Sequence, residues 1–496
     1  MTSTAATASP AGLARRIAGS ASILVGRQAV VQVMTAVSTA VVARALSANQ
    51  FGVLASAMAV FYLALAASDF GFGFVLARDL AVATDRGALF RAALRVQLLW
   101  SAVLAVAMVA LGLSGLAASN GAKPVIIVLA LGVLAAGFSG GRQVFLVDYR
   151  TRVLAIIDVS TNALTVAATI VAVLLGAGPA GVAAATVAGV ALNAAIVLAL
   201  ALRLVGPARD LTRTRRASAA FLRRAVPFGL ASFMTSVYFT IDLALLGWLV
   251  AGQRLGDYAA ATKVLSLLVV VPGLLMNAAV PGLSGAVGDR ARTTALASRL
   301  AHWMAATGLP VCVAAAIFAP QVITIAFGSQ YGGAVVLTRV LVLAAVLTLA
   351  SNIVGNILGA AGVVRPLLIQ NSVAVVFNVA GNVILVPRYG VMASAWLTVA
   401  TELLVLSAAA VVVRGRVDLR QTARATLRPS LAVAISAVVA LLLLPYPLIA
   451  ILAATATFAA AVALLRAWPV ELMPRRRAPG TETDVGGSAT SDPADA

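Results

Sequence analysis

The chain has 496 residues, of which 62% are hydrophobic and 10% are charged, and its formal net charge is +20. A soluble protein of this composition would expose a very large apolar surface, so the composition excludes a soluble domain and indicates an integral membrane protein. The basic residues are dispersed and no recognition module is visible, which argues against a nucleic acid partner. Cys312 and His302 are the only cysteine and histidine, so we predict no disulfide framework, no metal site and no cofactor.

Apolar segments long enough to cross a bilayer recur along the chain. With about twenty residues per span as the measure, the sequence predicts fourteen transmembrane helices. They are expected at 20–44, 51–77, 92–116, 124–146, 152–176, 180–203, 225–250, 257–286, 299–326, 333–360, 365–387, 390–413, 429–445 and 446–467. A cytoplasmic arm at 1–19 precedes them, and the polar tail at 471–496 is expected to be a disordered cytoplasmic segment.

Basic residues mark one side of the predicted bundle. Of the 36 Lys and Arg, 29 lie in the termini, in the even-numbered connections or at the segment ends beside them, and only four lie in the odd-numbered connections. Because Lys and Arg near short loops stay on the cytoplasmic side, both termini and all even connections should face the cytoplasm. The sequence thus predicts a multi-pass protein of the cytoplasmic (inner) membrane.

The first twelve segments form an internal repeat of two units. Three pairs of aligned positions carry it, at offsets of 204, 209 and 208 residues: Gly52 with Gly256, Gly181 with Gly390, and Asp210 with Asp418. Each unit holds six helices and begins on the same side, so the predicted fold is all-α, with two six-helix lobes related by a parallel pseudo-two-fold repeat and two further C-terminal helices. The predicted regions are an N-lobe at 20–205, a basic interlobe loop and C-lobe at 206–424, and helices 13 and 14 at 425–470.

Few ionisable side chains lie within the predicted spans. They are Arg27, Asp69, Asp158, Asp242, Lys263, Arg339 and Glu402. Each would cost about 2.5–3.5 kcal/mol at a lipid-facing helix centre, so each should face protein or a wet cavity. Contact with a substrate is expected for only some of them.

Polar stripes on two predicted spans mark candidate cavity walls. They run through Gln28, Gln32, Thr35 and Thr39 on the first span and through Asn371, Asn378 and Asn382 on the eleventh. Cavity lining and hydrogen bonding between helices are both open interpretations of such stripes. Arg27 lies beside the first stripe, and its depth and polar surroundings make it the arginine that we expect to meet an anionic head group.

Asp242 and Lys263 lie on either side of a short turn between the seventh and eighth predicted spans. Two interpretations stay open, a buried structural ion pair and a substrate site. Removing one partner of a buried pair can cost about 3–5 kcal/mol, so loss of activity alone would not separate them.

No enzyme site is recognisable in the sequence. There is no Gly-x-Ser-x-Gly elbow, no P-loop and no His-Glu-x-x-His motif, so we predict that the protein is not an enzyme. The predicted fold leaves several functions open. One is a cation-coupled drug exporter of the same fold, which Asp69 and Asp158 would support. The others are a membrane enzyme or a scaffold that acts on lipid-linked sugars.

A series of short motifs extends over nearly all of residues 20–415. In the first half they are Arg44-x-Leu46-x(4)-Phe51-Gly52, Asp69-x-Gly71-x-Gly73 and Arg78-Asp79; in the second half they are Pro227-Phe228-Gly229, Asp242, Gly256 to Ala260, Pro281, Asn378, Asn382, Pro387 to Gly390, and Ala393. Together they resemble polysaccharide flippases of the oligosaccharidyl-lipid branch of the multidrug/oligosaccharidyl-lipid/polysaccharide exporter superfamily.

This resemblance implies movement of a polyprenyl-pyrophosphate-linked oligosaccharide, a precursor of cell-surface polysaccharide, across the membrane by alternating access. It also implies that Arg27 and Lys263 suit neutralisation of the lipid pyrophosphate. The implied partners are the lipid-linked oligosaccharide and membrane lipids. A coupling ion, H⁺ or Na⁺, and a complex with a glycosyltransferase or polymerase stay open, as do the sugar and the length of the lipid carrier.

Overall fold

The structure is a computed structural model that describes residues 10–114, 121–207, 211–286, 288–465 and 467. These residues form seventeen α-helices and one 3-10 helix, and no strand occurs among them. The α-helices are α1 Pro10–Ala45, α2 Ala48–Asp69, α3 Phe72–Val82, α4 Arg86–Leu113, α5 Ala122–Ala136, α6 Gly141–Val147, α7 Thr151–Leu174, α8 Gly178–Val205, α9 Leu211–Leu249, α10 Gln253–Ser284, α11 Arg290–Ile317, α12 Ala319–Ala326, α13 Ala334–Ala360, α14 Val364–Tyr389, α15 Val391–Val413, α16 Leu419–Leu442 and α17 Pro447–Leu464. The 3-10 helix is Ser329–Tyr331.

The described helices confirm the predicted multi-pass membrane protein. Within the described residues, twelve spans are long and apolar enough to cross a membrane, and the bent pair α5–α6 makes a thirteenth. The remaining predicted span, 257–286, corresponds to α10. Each of the fourteen predicted segments therefore coincides with one helix or with two consecutive helices.

Three predicted spans are built from two helices instead of one. The chain breaks at Phe70 and Gly71 between α2 and α3, where both residues have positive φ. It bends by 42° between α5 and α6, at a glycine-containing turn. It breaks again at Phe318, shortly before a proline that cannot continue the hydrogen bonding of α11. Near glycine and proline the helix is thus interrupted, while the segment as a whole stays apolar and long enough to span the membrane.

Two helices begin earlier than the hydrophobic pattern predicts. α1 begins at Pro10, within the predicted arm, and α9 begins at Leu211, within the predicted interlobe loop. Residues 1–9 of the predicted arm and the whole predicted tail, 471–496, lie outside the described residues.

Aspartates of the connections cap the helices that follow them. Asp85 and Asp289 each accept a backbone N–H bond from the first turn of α4 and α11. Asp418 accepts from the backbone N–H groups of Gln421 and Arg420 at the start of α16, and these bonds hold the pKa of Asp418 below its usual range. These carboxylates therefore stabilise helix starts by satisfying otherwise unpaired N–H groups.

The two lobes repeat the same helix packing. In the N-lobe, α1 packs on α7, α2 on α5, α4 on α5, α5 on α8, and α7 on α8. In the C-lobe, the equivalent helices form the same five packed pairs: α9 with α14, α10 with α13, α11 with α13, α13 with α15, and α14 with α15. The internal repeat seen in the sequence is thus a repeat of structure.

The lobes meet mainly through α2, which packs on both α9 and α10. At one end of the bundle, the last turn of α1 and the residue that follows it also contact the segment before α13. The Tyr331 hydroxyl donates to the carbonyl oxygen of Ala43 at 2.8 Å, and the Gln330 amide donates to the carbonyl oxygens of Ala43 and Leu46 at 3.1 and 3.0 Å. These bonds close the lobe interface at that end.

The last two helices lie outside the repeat and attach to the C-lobe through α11. α16 packs on α11 and on α17. Pro429 lacks an N–H group, so the carbonyl of Ala425, four residues earlier in α16, has no helical donor. His302 of α11 meets this carbonyl through Nδ1 at 3.0 Å, and its Nε2 lies 2.9 Å from the carbonyl oxygen of Ala467, just beyond α17. The imidazole therefore lies between the two helices, and its one N–H in the neutral form donates to one of these carbonyls.

Candidate functional site

A cavity of about 400 Å³ lies between the lobes and is called the central cavity below. Ala55, Ala59 and Tyr62 of α2 form its N-lobe side. Its C-lobe side comes from α9, α10, α13, α14 and α15, and the polar residues there include Tyr238, Asp242, Tyr258, Lys263, Thr348, Asn378, Thr398, Thr401 and Glu402. Polar and ionisable groups of the membrane-spanning helices are thus gathered where the lobes meet.

Asp242 lies at the centre of a polar cluster on the C-lobe side. Its Oδ2 atom accepts a hydrogen bond of 2.9 Å from the Thr398 hydroxyl, while Oδ1 is buried and has no hydrogen-bond partner among the described residues. Asn378 lines the cavity beside it, and Asn382 donates to the Asn378 amide oxygen at 2.9 Å. The Asn382 amide oxygen is likewise buried without a partner in the described chain. The structure brings together these three predicted site residues.

Glu402 forms a second acidic position, about one helical turn from Thr398 on α15. The Tyr238 hydroxyl donates to its Oε1 atom, and the Ser351 hydroxyl donates to Oε2 at 3.3 Å. The sequence identifies Glu402 as an ionisable group within a span, but nothing in the sequence indicates that Tyr238 and Ser351 would bind it. Glu402 is 6% exposed and lines the central cavity.

A second cavity, about 420 Å³ in volume, continues from the central cavity into the C-lobe and is called the C-lobe chamber below. The two cavities share Tyr238, Phe239, Thr348 and Glu402. The chamber is lined by the amides Asn352, Asn356, Gln370 and Asn371 and by several hydroxyl groups. Sequence reasoning missed most of these residues, although the step of four from Asn352 to Asn356 is a signal of a polar helical face.

Lys263 lies between the central cavity and a smaller N-lobe cavity of about 180 Å³, and it lines both. The ion pair with Asp242 that the sequence left open is not formed, and Lys263 makes no ion pair with any described residue. The Oδ2 atom of Asp242 accepts from Thr398 instead. A cation without a counter-ion therefore lies at the junction of the two lobes.

Hydroxyl groups dominate the polar lining of the N-lobe cavity. They include Thr35 and Thr39 of the predicted stripe, together with Ser38, Thr165, Thr169 and Thr186. Gln32, one turn before Thr35 along α1, is half-buried. The first polar stripe thus reaches this cavity through Thr35 and Thr39.

Arg27 belongs to a separate cluster within the N-lobe. It donates to Asp158 of α7, and Arg142 of α6 binds the same carboxylate with two hydrogen bonds of 2.8 Å each. Asn193 of α8 donates to Asp158 at 3.0 Å, and Arg27 also donates to the Gln28 amide oxygen at 3.3 Å. Two guanidinium groups thus share one carboxylate, so the cluster keeps an excess positive charge. Arg27 is therefore held by Asp158, a partner that the sequence did not reveal.

Asp69 lies apart from the three cavities. It is the last residue of α2, at the break before α3, where its side chain is exposed and adjacent to Gly73. It does not join Asp242, Glu402 or Asp158.

The geometry invites comparison with solved transporters of similar architecture. The fold matches that of a structure described as the lipid II flippase MurJ in an inward closed conformation, with a TM-score of 0.75 and 12% identity, over 89% of this chain and 98% of that one. It also matches an inward-facing multidrug resistance MATE family transporter, with a TM-score of 0.61 and 18% identity, over 81% and 98% of the two chains. A third match is a structure of the MATE multidrug transporter DinF-BH, with a TM-score of 0.61 and 14% identity, over 85% and 99%.

These identities are low, so the three structures establish the fold and not the substrate. No curated protein matches the sequence. Residues 41–336, more than half of the chain, match the family described as polysaccharide biosynthesis protein. The chain is therefore a multi-pass membrane protein that belongs to the polysaccharide biosynthesis protein family.

Proposed function

We propose that the protein is a flippase that moves a polyprenyl-pyrophosphate-linked oligosaccharide across the cytoplasmic membrane by alternating access of its two lobes. Membership of a polysaccharide biosynthesis family supports the substrate class. The two-lobed fold, with polar cavities enclosed by apolar helices, supports the transport mechanism. Transport of this kind needs no covalent chemistry from the protein, in keeping with the prediction that it is not an enzyme.

Lys263 is the observation that carries this proposal. Its ammonium group has no counter-ion among the described residues, and it lies where the central and N-lobe cavities adjoin. An unpaired cation within a membrane protein is costly and marks a site that an anion occupies. The pyrophosphate of a lipid carrier supplies that anion, and Lys263 of α10 binds it as a point charge that faces both cavities.

The cavities on either side of Lys263 offer surroundings suited to sugars. Hydroxyl groups line the N-lobe cavity, and amides and hydroxyls line the C-lobe chamber. Sugar hydroxyls can exchange hydrogen bonds with such groups in place of water. The prenyl tail needs no polar path because it stays in the lipid.

The Arg27 cluster is a second position for an anionic group. Its two guanidinium groups exceed the one carboxylate that they share, and Arg27 Nε has no partner among the described residues. We assign the Arg27 cluster to a contact that the same pyrophosphate makes within the N-lobe early or late in transport.

The Asp242 cluster is the candidate for a coupling cation, H⁺ or Na⁺. It offers the free Asp242 Oδ1 atom, with the Asn378 and Asn382 amides beside it. Oxygen atoms of carboxylates and amides are suitable ligands for a hard cation. The same cluster favours the second candidate function, a cation-coupled drug exporter, because that function also requires a compact acidic site in one lobe.

The orientation follows from charge. The concentration of Lys and Arg at the termini and even connections supports a cytoplasmic location of both termini.

Transport by reconstituted protein tests the proposal. The probe is a fluorescent farnesyl diphosphate-linked disaccharide in liposomes, and the signal is its protection from an external quencher. We expect Lys263→Gln to lower the rate at least about tenfold and Lys263→Arg to retain much of it, because the substitution removes or keeps the charge. Lys123→Gln, at the only other lysine of the chain, is the matched control. Wild-type protein that expels cationic dyes but leaves the probe in its leaflet would favour the drug exporter.

A further inference from the structure

Four side-chain amides converge in the C-lobe chamber: Asn352, Asn356, Gln370 and Asn371. Two of them have their own partners, since Asn356 donates to the carbonyl oxygen of Asn352 at 2.8 Å and Asn371 donates to the Thr235 hydroxyl at 3.3 Å. The side chains of Asn352 and Gln370 make no hydrogen bond with other described residues. Each amide carries a donor and an acceptor, so the free pair can bind neighbouring hydroxyl groups of a sugar ring.

Two aromatic side chains line the junction between this chamber and the central cavity. The rings of Tyr238 and Phe239 meet edge to face, with centroids 4.8 Å apart, and both residues line both cavities. An aromatic face offers apolar contact to the C–H face of a pyranose, while the amides take its hydroxyls. The combination of aromatic and amide groups is suited to a carbohydrate and poorly suited to an acyl chain.

Among the described residues, the C-lobe chamber has an acidic lining residue and no basic one. Glu402 is its only ionisable lining residue apart from the Tyr238 phenol, and no Lys, Arg or His of the described chain belongs to the lining. The nearest carboxylate in the adjoining cavity is Asp242, and the only basic residue described there is Lys263. A second anionic group that entered the chamber would thus meet the Glu402 carboxylate, with no compensating cation in the described lining of the chamber.

We infer that the C-lobe chamber holds a sugar of the lipid-linked substrate and selects neutral and amino sugars over uronic acids. This inference rests on the proposed function, since it places the pyrophosphate on Lys263 and the adjoining sugar past the junction lined by Tyr238 and Phe239. Asn352 and Gln370 bind the hydroxyls, and Glu402 sets the charge preference. An amino sugar gains an attraction to Glu402, and a neutral sugar needs only the amides.

Binding to the purified full-length protein in detergent tests the selectivity. The probes are farnesyl diphosphate and three of its glycosides, carrying N-acetylglucosamine, glucosamine or glucuronic acid. We expect the wild type to bind the first two glycosides at least about tenfold more tightly than the glucuronic acid glycoside. Glu402→Gln should remove most of this difference by improving glucuronic acid binding. Asp79→Asn, at a carboxylate of α3 that lines neither cavity, should leave the difference unchanged.

The role of the Asn352 and Gln370 amides is tested separately, by comparing glycoside binding with farnesyl diphosphate binding. We expect the double variant Asn352→Ala with Gln370→Ala to weaken N-acetylglucosamine glycoside binding by about fivefold or more and to leave farnesyl diphosphate binding within about twofold. Unchanged binding of farnesyl diphosphate also shows that the variant is folded.

The outcomes separate this inference from the proposed function. Glycosides that bind in a Lys263-dependent manner, with equal affinity for all three sugars, would overturn the selectivity and leave the flippase intact. Discrimination that persists in Glu402→Gln would also overturn it. Absence of any Lys263-dependent binding, even of farnesyl diphosphate, would instead contradict the proposed function.

Discussion

Gly52 and Gly256, which occupy equivalent positions in the two repeats, touch each other at the interface between the lobes. A Cβ atom on Gly52 would lie 2.6 Å from the backbone nitrogen of Gly256, and one on Gly256 would lie 2.0 Å from the carbonyl oxygen of Ala48. Any side chain here would overlap backbone atoms. The contact of α2 with α10 near their first turns therefore requires glycine in both repeats, and it closes the lobes at the end where Tyr331 also binds Ala43.

A methyl group at Gly256 should open that end. Alanine favours an isolated helix over glycine by about 1 kcal/mol, so Gly256→Ala does not weaken α10 itself and acts through the lobe contact. Opening is measured by the rate of thiol labelling at position 59, since Ala59 lines the central cavity. The variant Ala59→Cys is made in a Cys312→Ala background, which has no other cysteine. We expect labelling to rise at least about tenfold, because a shift of about 1.4 kcal/mol is enough for that change.

Gly273→Ala is the matched control for this substitution. It lies on the same helix, and a Cβ atom there would meet nothing within 4 Å. Equal labelling rates for Gly256→Ala and Gly273→Ala would show that the Gly52 contact does not hold the lobes closed.

Arg27→Ala should abolish transport without unfolding the protein. Asp158 would keep its two bonds to Arg142 and its bond from Asn193, so the substitution does not leave a buried carboxylate unpaired. We expect Arg27→Ala to fail in complementation of a flippase-null strain at unchanged membrane abundance. Normal complementation would remove Arg27 from the transport pathway and leave it a structural partner of Asp158.

Removal of the Asp242 carboxylate should uncouple transport from its ion gradient. Asp242 has the buried, unpartnered oxygen that a cation can use, whereas Asp69 is exposed at a helix break away from the cavities. In liposomes with an imposed H⁺ or Na⁺ gradient, we expect Asp242→Asn to lose the gradient-dependent part of transport and Asp69→Asn to keep it. Full stimulation in Asp242→Asn would exclude this cluster as the coupling site.

The sequence predicts the fold far better than the site, for a physical reason. Hydrophobic length and the distribution of arginines depend on the bilayer, so they can be read one segment at a time. The partner of a polar side chain depends on how two distant helices are rotated against each other. Arg27 and Asp158 are separated by 131 residues, and Tyr238 and Glu402 by 164. The Asn378 and Asn382 pair was accessible from the sequence because both residues lie one turn apart on one helix.

His302 should be needed to hold α16 and α17 on the C-lobe. Its two ring nitrogens face the carbonyls of Ala425 and Ala467, and the single N–H of a neutral ring donates to one of them. Loss of the ring removes that donor, at about 1–3 kcal/mol for a buried group. Ala432→Cys, at a fully buried position of α16, reports local separation in the Cys312→Ala background. We expect His302→Ala to raise its labelling rate about tenfold or more, since opening becomes easier by at least about 1.4 kcal/mol. Thr307→Ala removes a hydroxyl that bonds only within α11 and should leave the rate unchanged. If both variants labelled like the wild type, the packing of α16 on α11 would suffice without the imidazole.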